Sequence, residues 1–240
     1  MGCKVNHSIS SLALFKVSTK RANLCPRKII TFSSSPNSQI QQTQEIKTNH
    51  YTVNFKTLGA CKLGIAKYPD FGYNAEGGKG TGSASRKAEE TTSDDDELLV
   101  SFDLKTLYIP PLTSSTTKFL GLPLPPFLKI SIDPQHFKGT INPNSGQVDL
   151  EFKAKFWFTI GSLYKAPALI VETVLTSEES LVGKMRRGRG ERLDKDGKCR
   201  LVGVATVDPI DDFLMNSFLG LPTECLADLN AIISFTPSPY

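Results

Sequence analysis

Residues 147–160 (QVDLEFKAKFWFTI) place Val148, Leu150, Phe152, Ala154, Phe156, Phe158 and Ile160 on one parity. Gln147, Asp149, Glu151, Lys153, Lys155, Trp157 and Thr159 fall on the other. Side chains of a strand point alternately to the two faces of a sheet, so this period of two describes a ribbon with one apolar face and one mostly charged face. A helix would scatter the same acids and lysines around its circumference. The stretch predicts the central strand of an antiparallel sheet, with a core on one side and water on the other.

The same alternation recurs on either side of it. Residues 51–57 carry Tyr51, Val53 and Phe55 on one face, and residues 61–66 carry Cys61, Leu63 and Ile65, so the two runs predict a hairpin turning at Leu58, Gly59 and Ala60. Further strands are expected at 98–104, 127–132, 137–141, 168–175 and 199–207, with Asp133-Pro134 breaking the chain between the second and third of these runs. Residues 70–96 hold five glycines and the run Asp94-Asp95-Asp96, which predicts a flexible loop. Short helices are expected at 113–120, at 209–219 behind the Asp208-Pro209 start, and at 222–232. The fold class is mainly β: an antiparallel barrel or sandwich of roughly seven or eight strands with two or three short helices, the last two C-terminal.

One pentapeptide occurs twice. Phe119-Leu120-Gly121-Leu122-Pro123 returns as Phe218-Leu219-Gly220-Leu221-Pro222, and both copies read as a helix stop, with glycine in the left-handed cap and proline forbidding continuation. An old strand–helix duplication and two independent solutions to one capping problem both fit.

Charge separates the chain into a leader and a body. Residues 1–50 hold seven of the 28 Lys and Arg and one of the 24 Asp and Glu, so residues 51–240 carry 21 against 23, a net −2 beneath an overall +4. A basic, serine-rich, acid-poor leader has the composition of a chloroplast transit peptide, which places the 51–240 domain in the stroma or on the stromal face of the thylakoid. The basic balance belongs to the leader and is no argument for a nucleic-acid partner. Five cysteines without a C-x-x-C pair fit a reducing compartment, and no apolar run reaches the roughly 18 residues of a membrane span.

Lys184, Arg186, Arg187, Arg189 and Arg192, interleaved with Gly183, Gly188 and Gly190, form the densest charge cluster. On a glycine loop they suit docking to an anionic partner, whether lipid headgroups, an acidic protein or, weakest of the three because no aromatic RNA-binding sheet face is read, RNA phosphates. Glu178, Glu179, Glu191, Asp194 and Asp196 also stand close enough in sequence to neutralise them. Trp157 is the one large ring on the polar parity, either covered by the helices at 209–219 and 222–232, the reading the sequence favours, or facing a partner or membrane interface. Gly77 to Gly82 lacks the spacing of a phosphate loop, and no cofactor or metal motif is read. His136 is the only histidine in the 51–240 body, and no G-x-S-x-G motif occurs.

A transit leader followed by a small β domain resembles, at the level of plan alone, the plastid lipid-associated, lipocalin-like proteins. The lipocalin G-x-W start is absent, so no residue role is carried over. The leader and the cysteine-poor body together read as a non-catalytic plastid protein holding an apolar ligand or assisting a thylakoid complex, with Arg186, Arg187 and Arg189 as an anionic docking loop, Trp157 nearby, and peripheral membrane contact among its options. The alternative is an enzyme of unrecognised type using carboxylates and His136. A cavity inside the sheet favours the first, and a buried cluster converging on His136 favours the second.

Overall fold

The computed structural model describes residues 50–86, 97–180 and 183–238, all within one compact unit, Ile46–Tyr240. The leader and the acidic run Asp94-Asp95-Asp96 lie outside the described residues.

The strands are β1 (His50–Thr57), β2 (Cys61–Ile65), β3 (Phe71–Tyr73), β4 (Lys79–Arg86), β5 (Leu98–Phe102), β6 (Thr117–Phe119) and β7 (Leu122–Pro123). They continue as β8 (Leu128–Ile141), β9 (Val148–Ile160), β10 (Tyr164–Lys165), β11 (Leu169–Thr176) and β12 (Lys198–Val207), and after helix α1 (Phe213–Leu219) the chain ends its sheet with β13 (Thr223–Pro237). All pairings are antiparallel. Eight strands close on themselves in the order β1-β4-β5-β8-β9-β11-β12-β13, because β13 returns to pair with β1. The alternation that defines β9 sets which face is inside: Val148, Leu150, Ala154 and Phe158 are buried, while Glu151 and Lys155 point outward.

Several expectations are corrected by the pairing. β1 and β2 do not form a hairpin with one another. They run end to end along the same edge of β13, β1 against Ala231 to Pro237 and β2 against Cys225 to Asp228. Asn230 holds the offset between them, its backbone oxygen accepting from Leu58 N at 2.8 Å and its side-chain amide donating to Ala60 O at 3.1 Å. Asp133-Pro134 does not end a strand either. β8 continues through it with a bulge at Gln135, so Ile130 and Ile132 face inward before it and Phe137 and Ile141 after it. A bulge tolerates proline, which brings no N–H to the ladder.

Only one of the expected helices forms. α1 begins later than Pro209, because Asp212 rather than Asp208 is the N-cap: its Oδ1 accepts from Met215 N at 2.9 Å. Gly220 ends it with φ 70°, the left-handed cap expected of it. Residues 113–120 instead make a turn and β6. There Leu120 and Gly121 both have positive φ, as the two-residue turn joining β6 to β7 requires. The repeated pentapeptide thus has two structural roles, a hairpin turn and a helix stop. Residues 222–232 are not helical but are the greater part of β13. Within the glycine-rich 70–86 stretch β3 and β4 are regular strands, β4 pairing with both β1 and β5.

The interior has two ends of different character. Toward Ile141, Val148 and Ile233 it is filled, with Phe55, Phe102 and Phe137 in mutual ring contact at 4.6 to 5.8 Å. Toward Leu128, Phe158 and Val207 the wall is completed by β2, β3 and β6, a bridge from Leu112 to Ile130, and α1 across the end.

Candidate ligand-binding site

The second half of the ring holds a cavity of about 240 Å³. Its origin is a mismatch of side-chain sizes. β9 projects Phe152, Phe156 and Phe158 inward, while β12 answers with Gly203 and Ala205 and β13 with Ala227, so aromatic rings on one wall face almost nothing on the other. The filled half supplies the floor through Phe55 and Phe137, whose rings meet edge to face at 5.3 Å. Phe218 and Leu219 of α1 close the far end.

Among the described residues no charged side chain lines this space, and its hydroxyl groups are already engaged by the protein. Thr57 Oγ1 donates to Ala75 O at 2.5 Å, Thr173 Oγ1 to Val204 O at 2.9 Å, and Tyr73 Oη to Pro110 O at 2.5 Å. The Cys225 thiol also borders the cavity, and burial pushes it up to about 11, so it stays a neutral, weakly polar wall atom at physiological pH. A guest here finds dispersion contacts and no hydrogen-bonding partner, and such a cavity excludes water in favour of hydrocarbon.

The basic cluster is divided by the structure. Arg186 is drawn down onto the protein: its guanidinium pairs with Asp70 at 2.5 Å and donates to Ile65 O at 2.6 Å and to Tyr68 O. The backbone amides of Lys184, Met185 and Arg186 all donate to the Glu224 carboxylate, at 2.9, 2.8 and 2.8 Å. The Lys184 amide, followed by those of Arg186 and Met185, holds that carboxyl below its ordinary value. Arg192 pairs with Glu178 at 2.6 Å, whereas Lys184, Arg187 and Arg189 remain exposed. The interleaved glycines allow close approach rather than looseness. A Cβ at Gly188 would lie 3.2 Å from Val202 Cβ, and one at Gly190 would lie 2.5 Å from the Ser177 backbone. The stretch is therefore a strap over the outer face of β12 and β13, and it accounts for the burial of Val202, Val204 and Leu226 on that face.

Trp157 lies half-buried on the outer face of β9, and no helix among the described residues covers it. The favoured cover is overturned, because 222–232 is a strand and α1 packs Met215 and Leu219 toward Phe158 and Val207 inside. Lys165 Nζ stands 4.9 Å from the centre of the indole ring instead. His136 sits outside too, at the β8 bulge, with Nε2 3.1 Å from Glu151 Oε2 beside the exposed Lys153–Glu172 pair. Among the described residues no buried cluster converges on it, and no three His, Cys, Asp or Glu gather as a metal site. No helix among the described residues is long and apolar enough to cross a membrane.

The sequence reading missed the cavity. Its signal was the string of small residues at alternate positions of 199–207, which has meaning only once β12 is known to face β9 across the ring. Comparison with known proteins finds no matching family model, no matching curated protein and no matching solved structure.

Proposed function

We propose that this chain is a non-catalytic binding protein whose ring acts as a small barrel around one apolar ligand. The leader composition supports a plastid setting, in the stroma or on the stromal face of the thylakoid. The single observation that carries the reading is the cavity without a charged wall residue whose three wall hydroxyls all bond to the protein itself. Pockets for polar substrates keep a few unengaged donors or acceptors to orient them. This one keeps only the weakly polar Cys225 thiol, so the ligand class is hydrocarbon: an acyl chain, a prenyl chain or a polyene. His136 and Glu151 on the outer surface give a reaction no enclosed site, which favours binding over the enzyme alternative.

The test is titration of the full-length protein with diphenylhexatriene, a fluorophore without hydrogen-bonding atoms. Saturable one-to-one enhancement is expected, and it should be lost in Ala205→Phe, which fills the cavity, while the melting temperature is held. Absence of saturable binding, or binding indifferent to Ala205→Phe, would overturn the proposal.

A further inference from the structure

Five connections leave the ring at its cavity end: the β2–β3 turn, the β6–β7 turn, the segment before β8, the β9–β10 turn and α1 between β12 and β13. They are tied to one another. Tyr68 donates to Phe218 O at 2.5 Å, and its ring lies 6.3 Å from Phe119 and 5.7 Å from Phe218, so the two copies of the repeated pentapeptide meet across one tyrosine. Gly161 N donates to Phe127 O at 2.9 Å, and Tyr164 Oη to Asp212 Oδ2 at 2.7 Å.

What these tied loops present to solvent is apolar. Phe127 is 79% exposed, Leu163 92% and Phe213 87%, with Leu120, Leu122 and Leu214 beside them. Large exposed apolar side chains concentrated at one end of a molecule mark a contact surface. Around them stand the exposed cations Lys67, Lys118, Lys129, Lys165, Lys184 and Arg187, the last two from the strap that Glu224 and Asp70 fix at this end. The acids nearby are fewer or engaged: Asp208 and Asp211 are exposed, Asp212 caps α1, Asp70 is paired with Arg186, and Glu224 is taken up by the strap's amides. Trp157, an amphipathic ring under Lys165, lies at the same level of β9.

We infer that this end of the ring docks onto an anionic lipid bilayer, with Phe127, Leu163 and Phe213 entering the acyl layer and the collar of cations meeting the headgroups. Three features select a bilayer over a protein partner. The apolar groups sit on separate loop tips instead of a continuous face. The charge around them is mainly of one sign, opposite to an acidic leaflet, and an interfacial tryptophan accompanies them. The cavity also reaches the surface here, since Phe218 both lines it and is 47% exposed. A hydrocarbon guest would pass between bilayer and cavity beside Phe218 without crossing water. That route rests on the ligand reading above, whereas docking rests on the rim alone.

Flotation of the full-length protein with vesicles tests it. Wild-type protein should float with phosphatidylcholine vesicles containing phosphatidylglycerol, and less with phosphatidylcholine alone. Replacing Phe127, Leu163 and Phe213 together by Ser should weaken flotation on the order of 100-fold, and Lys118→Glu with Lys129→Glu should remove the preference for the anionic lipid. Diphenylhexatriene binding in vesicle-free buffer should be unchanged in both variants, which also reports that they fold. Flotation undiminished in the triple variant would assign vesicle binding to the basic leader and overturn the inference. Wild-type self-association abolished by the triple variant, without vesicle binding, would overturn it in favour of a second copy of the chain. Loss of diphenylhexatriene binding by wild type with rim-dependent flotation intact would remove the ligand reading and leave docking standing.

Discussion

β8 and β9 run the length of the ring, yet the two halves they share are built to different ends. In one half their inward residues, Ile141, Val148 and Leu150, are buried among Val53, Leu201 and Ile233 and closed by the three-ring contact of Phe55, Phe102 and Phe137. In the other their continuations, Ile130, Phe156 and Phe158, look across at Gly203 and Ala205, and space remains. Packed interiors leave few voids, because every void forfeits contacts on both of its walls. The difference concentrates close packing in one half of the ring and leaves the other half hollow. The outside repeats the contrast, since the exposed apolar loop tips cluster at the hollow end.

The comparison breaks most directly by truncation. Leu150→Ala, in the filled half, should cost about 2–5 kcal/mol, measured by urea denaturation. Ile132→Ala should cost less than about half of that, because Ile132 is only half-buried and borders space that is already empty. Equal losses would mean that the halves are not mechanically distinct. Enlargement sharpens the contrast from the opposite side. Val148→Phe should destabilise by about 1–3 kcal/mol through overpacking, while Val171→Phe, pointing into the cavity, should leave stability within about 0.5 kcal/mol and abolish diphenylhexatriene binding.

A smaller effect belongs to the strap. Glu224 is held below its ordinary value of 4.5 by the amides of Lys184, Arg186 and Met185. Its contribution is therefore present above that value and is lost as pH falls through the lowered one. Limited proteolysis should find residues 183–190 protected at neutral pH, cleaved faster as the medium is acidified past this range, and cleaved faster at neutral pH in Glu224→Gln. Protection that does not change with pH would assign the strap's hold to Arg186 alone.

What could be read in the sequence follows from how local each signal is. The parity of β9 is a property of consecutive residues, so its faces were legible, and so was the Gly220 stop of α1. β13 carries the same parity, with Cys225, Ala227, Leu229, Ala231, Ile233 and Phe235 on one face. Leu226 and Ile232 on the opposite face blur the pattern, and Leu226 is tolerated there because the strap, some 40 positions earlier in the chain, lies over it. A break after β1 was legible too, but the chain runs on there in the same direction instead of turning back, because parity cannot name a strand's partner and both β1 and β2 pair with a strand far away in sequence. The cavity was the least accessible feature. A small residue on β12 is unremarkable by itself and becomes a void only opposite the phenylalanines of β9.

The seam of the ring joins its earliest strand to its latest, Tyr51 to Pro237 and Thr57 to Ala231. Neighbouring strands can zip together as they are synthesised, but the circle stays unshut until β13 exists, and all the phenylalanines of its lumen wait uncovered in the meantime. For this chain the lumen is sealed by the arrival of the closing strand.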